Sequence, residues 1–287
     1  MKNLHDTLRI KAQTGFSIVE IMVGLVIALF GIIIMFQVFS TSEGIKRTTT
    51  SGGDALQNGT AALFYMERSL KRAGYGLFSS NNISPYPADA VTTVPITITA
   101  GPANGSDTLL LKYRDNWYSG PFSPPVNIVG FSAPPPLTFE TINVVATGNL
   151  TELTSTPILD PAPPYAVTAT PAPASSVISE GIVLMKAEYG YDTNSDGVVD
   201  TWSHTPIAAP VLAVRTVIVA RSAQPEVTRT SAGAITACAT TTAFPTWTDS
   251  ASIPLDLSAN LGLAASDSWQ CYRYKTFETT VAIQNDM

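Results

Sequence analysis

Residues 16–39 decide the fold, and they read FSIVEIMVGLVIALFGIIIMFQVF. This stretch is almost entirely apolar, and Glu20 is its only charged residue. At a helical rise of about 1.5 Å per residue, the stretch is long enough to cross a hydrocarbon core of about 30 Å. Residues 1–15 before it carry three basic side chains and one acidic side chain. This bias predicts that residues 1–15 face the cytoplasm and that the rest of the chain is exported.

The residues that flank this span, and the single charge within it, indicate what kind of membrane segment it is. A cleaved secretory signal has a shorter apolar region and a small-residue cleavage site after it. No A-x-A sequence directly follows the apolar run at residue 39, so an uncleaved signal anchor is the simplest alternative. A carboxylate within a membrane span costs a few kcal/mol and is usually paired or functional. Glu20 therefore indicates a function at this end of the span.

The run Gly15-Phe16-Ser17-Ile18-Val19-Glu20 resembles the prepilin peptidase site of type IV pilins and type II secretion pseudopilins. The resemblance implies cleavage after Gly15 on the cytoplasmic side, so that the apolar segment stays in the mature protein. It also implies that Phe16 becomes the N-methylated first residue. The role implied for Glu20 is to neutralise the N-terminal amine of a neighbouring subunit during filament assembly.

Two further stretches resemble one subfamily, the PilW-like minor pilins. Gln57-Asn58-Gly59 followed by AALFYMERSLKRAGY at 61–75 is similar to their helix after the anchor, although Thr60 replaces an expected arginine. The closing run YRYKTFETTVAIQNDM at 272–287 is similar to their C-terminus, with Gln284-Asn285 in place of Arg-Asn. The resemblance implies a type IV pilus minor pilin.

The segment between the span and residue 76 is expected to be helical. Glycines at 44, 52 and 53 predict a helix that is loosened or broken near 48–54, because a helical glycine costs up to about 1 kcal/mol. Asp54 is suited to cap a new start, and Gly74 or Gly76 to end it. Three- and four-residue steps predict one buried stripe along this helix: Leu56, Thr60, Leu63, Met66, Leu70 and Ala73.

From residue 80 onward the pattern favours β-structure. Val, Ile, Thr and Tyr are frequent in stretches bounded by Pro or Gly, which predicts strands over 91–100, 107–114, 137–146, 181–192, 211–221 and 271–284. Proline-rich segments at 121–136 and 156–176 predict surface loops. The expected fold is α+β and pilin-like, a long N-terminal transmembrane helix followed by a mainly antiparallel β domain. Its predicted parts are a leader (1–15), a transmembrane segment (16–39), a soluble amphipathic helix segment (40–76) and a β-rich body (77–287).

The acidic run at 191–200, YDTNSDGVVD, has the spacing of a calcium loop. Oxygen-bearing side chains occupy loop positions 1, 3, 5 and 9, and Gly197 occupies position 6. The predicted ligands are Asp192, Asn194, Asp196, Asp200 and the carbonyl of Val198, a hard-oxygen set suited to Ca²⁺. Position 12 is Ser203 in place of glutamate, and the alternative is an Asx-rich turn without metal. PilW-like proteins often carry a similar run here.

Cys238 and Cys271 are the only cysteines of the chain. In an exported domain the expectation is one disulfide between them, because oxidising compartments favour it, and two free thiols are the alternative. Many pilins have a C-terminal disulfide loop, so the resemblance implies the same pairing.

The composition restricts the class of function. The chain has 287 residues, 45% hydrophobic and only 13% charged, with a net charge of −6. The part after residue 75 carries most of the acidic side chains, which makes nucleic acid a poor partner. No G-x-S-x-G, HExxH, P-loop or Rossmann glycine motif is present, and His204 is the only histidine outside residues 1–15. Neither an enzyme nor an organic cofactor is therefore expected.

The function implied by the resemblance is a minor pilin that primes or joins type IV pilus assembly at or near the tip. The implied partners are prepilin peptidase, other minor and major pilins, and the inner-membrane assembly platform. The implied location is the inner membrane, with a periplasmic body, and then the pilus. The alternatives are a minor pseudopilin of type II secretion and a pilus-displayed adhesin or ligand-binding module.

Overall fold

The structure is a computed structural model with two compact units, Met1–Thr49 and Thr50–Met287, which we describe separately. The residues that it describes are 15–75, 94–114, 137–155, 158–159, 167–169, 172–226, 228–229, 235–238, 240–250, 252–259, 261–263 and 268–283. The leader up to residue 14, the loop at 121–136 and the closing residues 284–287 lie outside them.

One helix, α1 (Ile18–Arg72), accounts for all the described helical turns apart from a short 3-10 helix at Trp269–Cys271. It is continuous through 48–54, so the predicted interruption is wrong. The cost of two helical glycines is only about 1 kcal/mol each, and Ser51 and Ala55 on either side of them are already buried in the body. Asp54 therefore lies inside the helix and caps nothing.

The remaining elements are strands, and every described pairing between them is antiparallel. In chain order they are β1 (Ile96–Thr99), β2 (Thr108–Arg114), β3 (Leu137–Val145), β4 (Asn149–Ser155), β5 (Ile158–Leu159), β6 (Val167–Ala169), β7 (Ala174–Glu180), β8 (Ile182–Tyr191), β9 (Thr201–Ser203), β10 (Val211–Arg221), β11 (Thr228–Arg229), β12 (Ile235–Ala237) and β13 (Tyr274–Ala282). The α+β architecture with a mainly antiparallel body is thus confirmed.

Two main sheets form the body. The first has the order β1-β2-β3-β4-β7 and the second the order β13-β10-β8-β9, while β5-β6 and β11-β12 form small hairpins. The segment 156–176, which we expected to be a surface loop, contains β5, β6 and the start of β7. Its composition gave no strand pattern, and β7 forms through backbone pairing with the adjacent β4.

Most of the residues on the buried face of the helix against the sheets are small. This face is Ser51, Ala55, Gly59, Ala62, Met66, Ser69, Leu70 and Ala73. The predicted stripe is right from Met66 onward but wrong at its start, because Leu56 is 55% exposed and Thr60 also faces outward. Close approach of helix and sheet requires small side chains here. A Cβ on Gly59 would lie only 1.9 Å from a ring carbon of Phe277 on β13.

The last turn of the helix is fixed to the first sheet by charge. Arg72 forms an ion pair with the fully buried Glu140 of β3, and its guanidinium lies 4.2 Å from the ring centre of Tyr113. The Tyr65 hydroxyl donates to the same carboxylate at 3.0 Å. The chain then leaves the helix at Gly74, whose φ of +78° is costly for other residues. The predicted helix end at Gly74 is confirmed.

Candidate functional site

The N-terminal half of α1 has the dimensions of a membrane anchor. Ile18–Glu43 forms 26 helical residues with a mean hydropathy of 2.8, and its most apolar window is entirely unburied. By length and composition, this helix is able to cross a membrane once. This helix fits the predicted single-pass membrane anchor.

The candidate processing site lies immediately before this helix. Gly15, Phe16 and Ser17 are exposed and not helical, and α1 begins at Ile18. The Ser17 carbonyl accepts from the Glu20 and Ile21 N–H groups at 3.0 and 3.2 Å, and the Ser17 hydroxyl accepts from Val19 N–H. The Gly15–Phe16 bond therefore precedes the first hydrogen-bonded turn of α1.

Glu20 lies in the first turn of α1, as the sequence predicts. A carboxylate at this end of a helix is favoured by the helix dipole. Its side chain is exposed, and within the described part of the chain no cation forms an ion pair with it. A carboxylate within a membrane span is usually paired or functional.

The acidic run forms the tip of the β8–β9 hairpin. Tyr191 at the end of β8 pairs with Thr201 at the start of β9, and the Asp200 N–H donates to the Tyr191 carbonyl at 2.9 Å. The residues between them fold back sharply, with φ of +64° at Ser195 and +81° at Gly197. A φ of +81° is unfavourable for residues that carry a Cβ, which accounts for the glycine at position 197.

Asp192 organises the loop from its buried side. One carboxylate oxygen accepts from the N–H groups of Asn194, Ser195 and Asp196 at 3.2, 2.6 and 3.3 Å, and the other accepts from Gly197 N–H at 2.8 Å. These bonds, above all the one from Gly197, hold the pKa of Asp192 below its ordinary value, although desolvation opposes them. The folded loop therefore favours the ionised form of Asp192.

Three carboxylates converge in this loop. Ligand oxygens of Asp192, Asp196 and Asp200 all lie within 4.8 Å of one another, with Asp192 buried and the other two exposed. Such a separation fits joint contact with one cation whose oxygen ligands lie at about 2.3–2.6 Å. The structure thus brings together the three predicted carboxylate ligands.

The other predicted ligands are placed differently. The Asn194 amide nitrogen donates to Asp196 and Asp200 at 3.1 and 3.3 Å, while its oxygen accepts from Asp196 N–H. Asn194 therefore contributes a donor to the cluster here. The Val198 N–H donates to Asp196 at 2.8 Å. At position 12, the Ser203 hydroxyl donates to the Thr205 carbonyl at 2.7 Å.

The two cysteines form the predicted disulfide. Cys238 and Cys271 are bonded across a sequence separation of 33, and no described cysteine is free. The bond ties the residue after β12 to the short helix before β13. Glu226 and Arg273 form an ion pair beside it, with two hydrogen bonds of 2.6 and 2.9 Å.

An apolar N-terminal helix that continues into antiparallel sheets is the pilin-like α+β fold that the sequence predicts. The sequence pattern of the PilW family, described as type IV pilus-assembly protein W, matches residues 153–285. The resemblance to PilW-like proteins that the sequence indicates is therefore confirmed. The matched region contains the acidic hairpin, the disulfide and all strands of the second sheet.

Solved structures with a similar chain path include two pilin-type proteins. A type IV-like pilin from Thermus thermophilus shares 12% identity, with a TM-score of 0.43 over 82% of this chain and 97% of that chain. A binary complex of two pseudopilins from the type 2 secretion system of Vibrio vulnificus shares 10% identity, with a TM-score of 0.33 over 60% of this chain and 86% of that chain. No curated protein matches the chain.

Proposed function

We propose that this protein is a minor pilin that joins a type IV pilus at or near its tip and primes its assembly. The observation that carries this proposal is the match of residues 153–285 to the PilW family on a chain with one N-terminal apolar helix. In this proposal, residues 1–15 are a leader and 16–39 the transmembrane segment. Residues 40–76 and 77–287 are then the soluble helix segment and the body.

Processing is the first step. Prepilin peptidase cleaves after Gly15 on the cytoplasmic side, and Phe16 becomes the N-methylated first residue. The exposed, non-helical backbone at Gly15–Ser17 supports access to this bond. The body lies in the periplasm until the subunit leaves the membrane for the pilus.

Glu20 acts in assembly. Its carboxylate pairs with the N-terminal amine of a neighbouring subunit, which satisfies a charge that is costly in lipid. Other minor and major pilins are thus its partners, together with the inner-membrane assembly platform.

The experiment combines a deletion strain with complementation. We expect few pili without the protein, normal piliation with the wild-type chain, and membrane-inserted but unincorporated protein with Glu20→Ala. Glu43→Ala, which changes a carboxylate at the far end of the span, is the matched control and should restore pili. Normal piliation with Glu20→Ala contradicts the role of Glu20. Co-purification with secretion components in place of pilus subunits contradicts the pilus assignment.

We also propose that the β8–β9 hairpin binds Ca²⁺ through Asp192, Asp196 and Asp200. The convergence of three hard oxygen ligands supports this proposal. Bound Ca²⁺ would supply positive charge to a loop that otherwise holds three carboxylates together. Because position 12 lacks a carboxylate, we expect a dissociation constant on the order of 10⁻⁴–10⁻³ M.

Thermal melting of the full chain in detergent tests this site. Millimolar Ca²⁺ should raise the melting temperature relative to chelator, since a ligand that binds only the folded state stabilises it. Asp196→Asn/Asp200→Asn should abolish the shift. Asp249→Asn, an exposed carboxylate outside the loop, should leave it unchanged. An equal shift in the loop variant would show that the hairpin is an Asx-rich turn only.

A further inference from the structure

A second polar cluster lies in the interior of the body, away from the acidic loop. Asp107 directly precedes β2 of the first sheet, Lys186 lies on β8 of the second sheet, and His204 directly follows β9. The side chains of Asp107 and Lys186 are 0% and 2% exposed, and that of His204 is 25% exposed. Lys186 and Asp107 are 79 residues apart in the sequence.

Each oxygen of Asp107 has two donors. Oδ1 lies 3.2 Å from Lys186 Nζ and 2.9 Å from Gly101 N–H. Oδ2 lies 2.9 Å from Ala187 N–H and 2.9 Å from His204 Nε2. Lys186 Nζ also donates to the Pro102 carbonyl at 3.1 Å. An amine and a carboxyl group are therefore held together where solvent is excluded, beside a partly exposed imidazole.

We propose that Lys186 and Asp107 condense after folding into an intramolecular amide bond, with His204 as the general acid. A buried ion pair costs several kcal/mol of desolvation per ion, and such pairs are often no better than neutral contacts. Condensation removes both charges from the interior. The fold holds both groups in contact. Folding has therefore already met the entropic cost of bringing them together.

The step balances without any co-reactant. Lys186 Nζ forms a bond to Asp107 Cγ, and the bond from Cγ to Oδ2 breaks. Of the three protons on the ammonium group, one stays on the amide nitrogen and two leave with Oδ2 as water. His204 donates a proton from Nε2 to Oδ2 and regains one from Nζ, so it is unchanged at the end.

The surroundings fit both the reaction and its product. Gly101 N–H holds Oδ1, where negative charge develops when nitrogen adds to Cγ. In the product, the amide N–H has the Pro102 carbonyl as acceptor, and the amide oxygen keeps Gly101 N–H as donor. Both polar atoms of the new amide keep a partner, whereas the Ala187 N–H loses Oδ2 as its acceptor when the water leaves. The bond would join the two sheets covalently.

Intact mass spectrometry of the full wild-type chain tests this proposal without any variant. The chain is purified in detergent, reduced and denatured, and we expect it to be lighter than its uncondensed chain by the mass of one water. Trypsin should not cleave after Lys186, and the fragment that contains it should carry the fragment with Asp107. A wild-type chain with the full mass overturns the proposal.

Variants then separate the parts of the reaction. Lys186→Arg keeps the positive charge but should show the full mass, whereas Lys275→Arg on β13 should condense like the wild type. His204→Gln should slow condensation by about 10²-fold, the effect of removing a general acid. Condensation of His204→Gln at the wild-type rate overturns the assignment of His204.

Discussion

Gly59 offers the sharpest test of how the helix packs on the second sheet. An added Cβ would lie 1.9, 2.4 and 2.5 Å from three ring carbons of Phe277, far inside the ordinary contact distance of about 3.5–4.0 Å. Overpacking of this kind costs about 1–3 kcal/mol. Alanine gains about 1 kcal/mol over glycine in a helix. We therefore predict that Gly59→Ala lowers the free energy of unfolding by about 1 kcal/mol.

Gly53 provides the matched control on the same helix. It is exposed, and nothing lies within 4 Å of its added Cβ, so only the helix propensity term applies. Gly53→Ala should raise the free energy of unfolding by up to about 1 kcal/mol. The same alanine substitution thus has opposite signs at two glycines six residues apart in sequence.

The assay is urea unfolding of the full chain at constant detergent, followed through the fluorescence of its four tryptophans, of which Trp247 is buried in the body. In a Phe277→Ala background the clash disappears, so Gly59→Ala should become stabilising. A Gly59→Ala chain that is stabilised as much as Gly53→Ala would refute the close packing of the helix on β13.

Three further predictions concern stability. Cys238→Ser should lower the free energy of unfolding by about 4 kcal/mol in urea, from the loop of 33 residues that the disulfide closes; no change relative to wild type would mean that the bond does not form. Because the folded pKa of Asp192 is depressed, its contribution is present above its unfolded pKa of about 4 and is lost as the pH falls through the folded value. The protection of the amides of residues 194–197 against hydrogen exchange, taken relative to the intrinsic rate at each pH, should therefore fall in acid, and unchanged protection would count against the Asp192 bonds. Tyr65→Phe should cost about 1–3 kcal/mol in urea, because the buried Glu140 carboxylate loses a donor; a neutral result would argue against this contact.

Features set by neighbouring residues could be predicted from the sequence. The apolar run predicts the anchor, because length and hydropathy suffice for a span. Alternation and β-branched residues predict β8 and β10, and the one-in-two spacing of Asp192, Asn194 and Asp196 predicts the hairpin tip. The position of each of these features follows from a short stretch of chain.

Features that depend on contacts between distant residues could not be predicted. Helical spacing alone favoured Leu56 over Ala55 as the buried residue, since the need for small side chains arises from Phe277, more than 200 residues away. Asp107 and Lys186 carry no motif, and only the pairing of the sheets brings them together. Strand β7 was missed because backbone pairing with β4, and not its own composition, makes it a strand.

We propose that the chain is a pilin subunit processed at its N-terminus. Mass spectrometry of the N-terminal peptide, from protein purified out of cells that contain prepilin peptidase, tests it most directly. We expect a chain that begins at Phe16 and carries one added methyl group on its amine. A chain that begins at Met1, or at any residue after 39, would contradict it.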